Sequence, residues 1–233
     1  MGDSILVTRP EPGASRTAAR LTALGLHPIM APVLRIEPVP ASLPAAERVA
    51  AVLATSGNAV DLLPASYRGC RLLTVGNATA ARARVAGFRQ VFSADGDAVA
   101  LAALANATLA PKDGTLLLTT GVRQGQALAV TLRQRGFSVV RRVVYRAAAL
   151  SRLPEPAETA LRAGTVRAAL FFSAETAEQF VRLTRRAGLA QATAASEAVA
   201  IGQAASMALT ALPWRRIRVA AKPNQDAMLA LLR

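Results

Sequence analysis

The chain has 233 residues, of which 52% are hydrophobic and 18% charged; this is enough to bury a sizeable core and too apolar for a disordered chain. Its 28 basic and 14 acidic residues leave a net charge of +14, and all of the basic set except Lys112 and Lys222 are arginines. Such a field favours a polyanionic partner without identifying it. No apolar run is long enough to span a membrane, and the start "MGDSILVTRP" lacks the basic and apolar regions of a secretory signal.

In chain order, strand-like segments are "ILVT" (5–8), "HPIMAPVLRI" (27–36), "AAVLATS" (50–56), "RLLTVG" (71–76) and "QVFSA" (90–94). They continue with "GTLLLTT" (114–120), "SVVRRVVYRA" (138–147), "RAALFFS" (167–173), "AVAIG" (198–202) and "RIRVAA" (216–221). Between them lie helical patterns such as 14–25, 79–87, 127–136 and 174–188. In the first, Leu21 and Leu24 set an apolar face opposite Arg16 and Arg20. Gly25, Gly87, Gly136 and Gly188 stand where a left-handed helix cap is cheap for glycine. Strands alternating with helices of this length predict parallel sheets covered on both faces.

An internal repeat sets the number of sheets. Residues 5–35 align with 116–146 without a gap, pairing Thr8 with Thr119, Leu21 with Leu132, Gly25 with Gly136 and Arg35 with Arg146. "AVLATSGNAVDLL" (51–63) resembles "ALFFSAETAEQFV" (169–181), and "TVGNATAARARVAGF" resembles "AIGQAASMALTALPW". The pattern predicts two similar parallel-sheet α/β domains with flavodoxin-like halves. Both repeat units end in stretches too long for one strand, which predicts a pair of extended linkers at about 34–40 and 144–150. The first domain is then discontinuous, residues 1–36 plus 149–233, and the second is 40–145. Paired linkers imply a hinge over a ligand-binding cleft.

Ligands of parallel sheets meet the carboxyl ends of the strands. Those ends carry Thr8 and Arg9, Thr55 and Ser56, Gly76, Thr119 to Gly121, Ser173 and Gly202. Helix starts that follow offer unpaired N–H groups suited to oxyanions. The same hydroxyls and amides are also natural helix caps: Ser56 or Asn58, Asn77 or Thr79, Ser173 or Thr176. His27, the single histidine, reads as a surface residue at the start of a strand. Cys70, the single cysteine, cannot close an internal disulfide, suits a reducing cytoplasm and reads as a small core residue. No Cys/His cluster, phosphate-binding glycine motif or strand-end carboxylate pair is present. A reaction on such a chain must come from binding, orientation and fixed dipoles.

Over essentially its full length the chain resembles the uroporphyrinogen-III synthase family. The likeness is carried by "ILVTRPEPGASRTAARLTALG" at the start, "TSGNAV" (55–60), "VGNATA" (75–80), "VVYRA" (143–147), "FFSAET" (171–176), "AIG" (200–202) and "VAAKPNQDAMLALL" (219–232). The resemblance implies two α/β domains joined by paired linkers, and a lyase that closes hydroxymethylbilane, a linear tetrapyrrole with eight carboxylates. Loss of water from the terminal hydroxymethyl group gives an azafulvene, and closure with inversion of the last ring gives uroporphyrinogen III. Unassisted closure gives the uninverted isomer I. No metal or organic cofactor is implied.

Carried over residue by residue, the family pattern falls on Ser56, Thr79, Tyr145 and Ser173; Gly57, Asn58 and Gly76 beside them are further expected substrate contacts. Tyr145 is the catalytic candidate, its phenol placed to hydrogen-bond or protonate the departing hydroxyl. Thr8, Arg9, Thr119, Gly121, Gly202 and Ser206 complete the expected carboxylate-binding set. The chain departs from the pattern at Ala205, where the family's "IGxxT" carries threonine, with Ser206 one position on; Asn58 stands where some relatives have arginine. The expected protein is a cytoplasmic monomer with a small-molecule polycarboxylate substrate, and no nucleic-acid or membrane partner. Two other readings are kept. Ala205 raises an inactive, family-shaped binding protein for a tetrapyrrole or another polyanion, and the +14 charge raises nucleic-acid binding, against which stand the spread of the charge and the scarcity of aromatics for stacking.

Overall fold

The structure, a computed structural model, describes residues 3–233. It divides into two compact units, Met1–Arg35 with Ala148–Arg233, and Ile36–Ala147. In the first unit β1 (Ser4–Val7), β2 (His27–Met30), β9 (Val166–Phe171), β10 (Glu197–Ala200) and β11 (Arg216–Val219) form one sheet in the order β11-β10-β9-β1-β2. All its pairings are parallel. Counted in the unit's own chain order, this is the 2-1-3-4-5 arrangement of flavodoxin-like folds.

The second unit holds β4 (Val49–Ala54), β5 (Arg71–Thr74), β6 (Gln90–Ser93), β7 (Thr115–Gly121) and β8 (Val139–Ala149), with β3 (Leu34–Pro38) at the edge, in the order β3-β8-β7-β4-β5-β6. The run from β8 to β6 is parallel. If β7 and β8 are counted first, as the repeat directs, this sheet has the same order as the other. The second unit is a circular permutation of the first.

Each sheet is covered on both faces because successive side chains of a strand point opposite ways. On β7, Leu116 and Leu118 join Leu53, Leu73 and the helices α4 (Ala98–Thr108) and α5 (Gln126–Gln134) in one core. Leu117 joins Val52, Leu72 and Tyr67 in the core on the opposite face, with α2 (Gly57–Val60) and α3 (Asn77–Val85). In the first unit Ile5 and Val7 pack with α1 (Gly13–Ala23) and α9 (Gln225–Ala230). Phe171, Phe180 of α7 (Ala174–Arg186) and Trp214 form an aromatic cluster, with Phe171 set edge-on to both partners and Phe180 stacked on Trp214.

The segment 27–36, too long for one strand, breaks at 31–33, where Pro32 has no N–H for a ladder. Its counterpart β8 continues unbroken for 11 residues. Leu24 does not share the buried face of α1, which is Gly13, Ala14, Thr17 and Leu21; it caps the helix and is 41% exposed. The second repeat pair is also one residue out of register. Val7 pairs with Leu170 and Leu118 with Leu53, so Leu53 corresponds to Leu170 and Ser56 to Ser173, each serine being a helix N-cap. The expected glycine caps Gly25, Gly87, Gly136 and Gly188 all have positive φ.

Candidate functional site

Because the strands of each sheet are parallel, their carboxyl ends lie along one edge, and the strand order reverses at β1/β9 in one sheet and at β7/β4 in the other. Ligands of open α/β sheets bind outside such reversal points. In the first unit that edge carries Arg9 after β1, Ser173 after β9, and Gly202 and Ser206 after β10. In the second it carries Ser56 to Asn58 after β4, Gly76 and Thr79 after β5, and Gly121 at the end of β7. Gly121 pairs with Tyr145 of β8.

The two threonines expected to reach a ligand do not present their side chains. Thr8 and Thr119 are both 0% exposed; Thr8 Oγ1 donates to Leu170 O at 2.6 Å and Thr119 Oγ1 to Leu53 O at 3.3 Å. A hydroxyl leaving the sheet at the end of a buried strand would lack a partner unless it turned back to the neighbouring strand's carbonyl. Ser56 and Ser173 serve as caps: Ser56 Oγ accepts from Asn58 N at 3.2 Å, and Ser173 Oγ from Thr176 N at 3.1 Å.

Helices α3 and α8 (Gln203–Leu209) begin differently. Their N-caps are Gly76 and Gly202, which have no capping side chain, and a Cβ at either position would meet nothing within 4 Å. No side chain caps the first-turn N–H groups of either helix. Neither Asn77 nor Thr79 caps α3, and Asn77 Nδ2 instead donates to Asp95 Oδ1 at 2.6 Å. Among the described residues nothing engages the hydroxyls of Thr79 and Ser206, both of which are half-buried. Ala205 is 2% exposed, so its methyl belongs to the core and Ser206 is the hydroxyl at that edge.

Arg9 is half-buried. Its guanidinium lies over the Phe172 ring at 4.2 Å, and Nη1 donates to Gln225 Oε1 at 3.3 Å and reaches Thr17 Oγ1 at 3.5 Å. It passes across Gly13, where a Cβ would overlap it. Among the described residues no carboxylate pairs with it. Burial, reinforced by Arg16, pushes its pKa down to about 10.

Tyr145 is 3% exposed, packed with Ala59 and Val144, and its hydroxyl donates to Gln124 Oε1 at 3.0 Å. It therefore serves both as a wedge in the core and as an oriented phenol. Gly121 makes room for it: a Cβ there would lie 2.8 Å from the Tyr145 Cε2 and Cζ. Arg82, in the last turn of α3, crosses Gly57 and pairs with Asp61 at the end of α2, tying α2 to α3. Sequence reasoning singled out none of Gln124, Arg82, Asp61, Phe172 and Gln225 as site residues. All but Gln124 lay inside quoted segments, yet a contact made by the far end of a long side chain leaves no local pattern.

His27 is exposed at the start of β2. Cys70 is half-buried rather than in the core, its Sγ 3.6 Å from Ala46 O, and burial raises its pKa. Among the described residues no group of three or more His, Cys, Asp and Glu could hold a metal ion, and no helix is long and apolar enough to cross a membrane.

The fold and these strand ends define a protein of two permuted flavodoxin-like units with uncapped, anion-suited edges. The family described as uroporphyrinogen-III synthase HemD matches residues 15–230. The chain belongs to the uroporphyrinogen-III synthase family, and its activity is the family's, formation of uroporphyrinogen III from a linear tetrapyrrole. Among solved structures it resembles uroporphyrinogen-III synthetase from Helicobacter pylori, with TM-score 0.63 and 17% identity, covering 100% of this chain and 98% of that one. It also resembles a mutant uroporphyrinogen III synthase from Thermus thermophilus, with TM-score 0.54 and 22% identity, covering 98% and 96%. At those identities the likeness concerns the fold. No curated protein matches the sequence.

Proposed function

We propose that the chain is a cyclising lyase that works without metal or organic cofactor, binding hydroxymethylbilane by its carboxylates at strand ends. The carrying observation is that each unit, taken by itself, has an uncapped helix start at a strand end, Gly76 in the second and Gly202 in the first, and that the first also holds a half-buried Arg9 that lacks a carboxylate partner among the described residues. Main-chain N–H groups and a guanidinium suit a ligand whose charge is spread over many arms. Thr79, Ser206, Asn58 and the capping serines Ser56 and Ser173 add polar contacts, with Ser206 taking the place of the family threonine. Gly57 and Gly121 act indirectly, by leaving room for the Arg82 side chain and the Tyr145 ring.

Tyr145 is the catalytic residue of this reading. Its phenol gives a proton to the departing hydroxyl as the C–O bond breaks and water leaves, and the pyrrole N–H returns one as the azafulvene forms. Ring closure then follows from the held conformation, which directs attack to the substituted carbon of the last ring. The weak acidity of a phenol is sufficient because the leaving group is already activated by the pyrrole. The free thiol of Cys70 suits a reducing cytoplasm, where the chain acts as a monomer on this small molecule, with no nucleic-acid or membrane partner.

The test is incubation with freshly prepared hydroxymethylbilane followed by separation of the isomers. Isomer III should dominate at a rate proportional to protein. Isomer I alone, at the rate seen without protein, overturns the reading. Tyr145→Phe should slow turnover much more than it weakens product binding, and unchanged turnover removes Tyr145 from the mechanism.

A further inference from the structure

We infer that Thr176 is a positioning residue for substrate binding: its hydroxyl donates to Ser173 Oγ and so leaves the Ser173 O–H to donate to a substrate carboxylate. The inference rests on the carboxylate-binding role proposed above for Ser173. The two hydroxyl oxygens lie 2.8 Å apart, a distance that fits a bond in either direction. Burial decides between them. Thr176 is 1% exposed, and among the described residues its hydroxyl has no partner other than Ser173. If Ser173 donated, the Thr176 proton would be shut in without an acceptor, the costly arrangement that buried hydroxyls avoid. If Thr176 donates, the proton left over belongs to Ser173, which is only half-buried and follows the end of β9.

The lone pairs of Ser173 are then fully used. A serine oxygen accepts two hydrogen bonds and donates one. Ser173 Oγ accepts the Thr176 N–H at 3.1 Å and the Thr176 O–H at 2.8 Å, so its remaining capacity is to donate. A carboxylate only accepts, and a hydroxyl that takes two bonds is polarised into a stronger donor. Arg9 stands at the same edge, since β1 and β9 are paired neighbours and its guanidinium lies 4.2 Å from the ring of Phe172, the residue before Ser173. A guanidinium likewise only donates. The first unit thus brings two donor-only groups to its reversal point. The second unit lacks this device. Ser56 accepts from Asn58 N, but the residue that corresponds to Thr176 is Ala59, which is fully buried. Ser56 keeps a lone pair, so the two matching serines differ in what they offer a ligand.

The direction of the bond fixes the sign of a mutational effect. Thr176→Val keeps the shape and removes the donor, so KM for hydroxymethylbilane should rise about threefold while kcat stays within about twofold. Were Ser173 the donor, the same variant would free its O–H, and KM would fall or stay unchanged; either result overturns the inference. Thr176→Ser keeps the hydroxyl and should restore KM. In the Ser173→Ala background Thr176→Val should change KM no further, because the two residues act as a unit, and an equal rise there also overturns the inference. Initial rates are read beside urea unfolding of each variant. Should Thr176→Val fail to fold, Thr176→Ser against Thr176→Ala makes the same comparison, and equal KM in those two counts against the donor role. Neutron diffraction from deuterated protein reads the bond without any assay: deuterium on Thr176 Oγ1 aimed at Ser173 supports the inference, and deuterium on Ser173 Oγ aimed at Thr176 sinks it. Wild type giving isomer III with Ser173→Ala at wild-type KM sinks this inference but not the activity. Wild type giving only isomer I sinks the activity itself, whichever way the deuterium points.

Discussion

Thr8 and Thr119, 111 residues apart, make the same hydrogen bond: each Oγ1 donates to the carbonyl of the leucine that pairs with the residue just before it, Leu170 and Leu53 respectively. Each bond crosses the pair of strands at which its sheet reverses order. Both hydroxyls are inaccessible, so these threonines hold the reversal point together rather than reaching a ligand with their side chains.

Replacing either threonine by valine keeps the shape and leaves one carbonyl unpaired. Thr8→Val and Thr119→Val should each lower unfolding free energy by about 1 kcal/mol, with the larger effect at Thr8, whose bond is shorter. Urea midpoints measure the loss, and KM for hydroxymethylbilane should stay at the wild-type value.

Gly76→Ala and Gly202→Ala separate binding from folding. Both glycines have extended backbone, φ −142° and −173°, with open space where a methyl would go. Stability should stay within about 0.5 kcal/mol. A methyl at the mouth of an uncapped helix start should nevertheless hold carboxylates away and raise KM severalfold, as measured by initial rates beside thermal melts.

Gly121→Ala acts on the reacting group. The added methyl would lie 2.8 Å from the Tyr145 ring, and either the ring or β7 must shift. The variant should lose about 1–3 kcal/mol of stability, as overpacked sites do, and turnover should fall with it. Urea unfolding and initial rates on the same preparation check both.

Arg9 carries a cost in the free protein. Its pKa, about 10 against the usual 12.5, shows that folding disfavours the charged form. The unfolded chain holds that proton more tightly, so the contribution to stability rises between pH 10 and 12.5 and the whole penalty is present at pH 7. Arg9→Met should therefore raise urea stability near neutrality, by an amount on the order of 1 kcal/mol, while raising KM about tenfold. The same variant should flatten the rise in stability above pH 10, which denaturation at graded pH would show.

Much of this architecture was legible because it obeys short-range rules. The apolar runs of β1 and β7, the glycine caps and the gapless repeat all use neighbouring residues. Helix α4 was harder to read: its sequence AVALAALANAT is apolar nearly all round, and Asp97, which accepts from Val99 N and Ala100 N, is its clearest signal. The register slip between Leu53 and Phe171 arose because one-residue shifts of two apolar strands look alike in sequence, whereas a ladder fixes them. For the site, strand ends named the right neighbourhoods, Gly76, Thr79, Gly202 and Ser206 among them. They could not show which hydroxyls turn inward, as Thr8 and Thr119 do, or that Gln124 would meet Tyr145, because those outcomes depend on side-chain direction across 21 or more residues.

The place of β1 within its sheet bears on the order in which the molecule takes shape. Its partner β9 lies more than 150 residues downstream, whereas every strand from β4 to β8 is complete by Ala149. As the polypeptide emerges from the ribosome, the permuted second unit is finished first. The opening β1-α1-β2 segment waits with the β1 edge that pairs with β9 open, and with Ile5, Leu6 and Val7 short of that neighbour, until β9 is made. Interrupted translation near residue 150 would thus release a folded core trailing a sticky leader, a species that chaperones would be expected to engage.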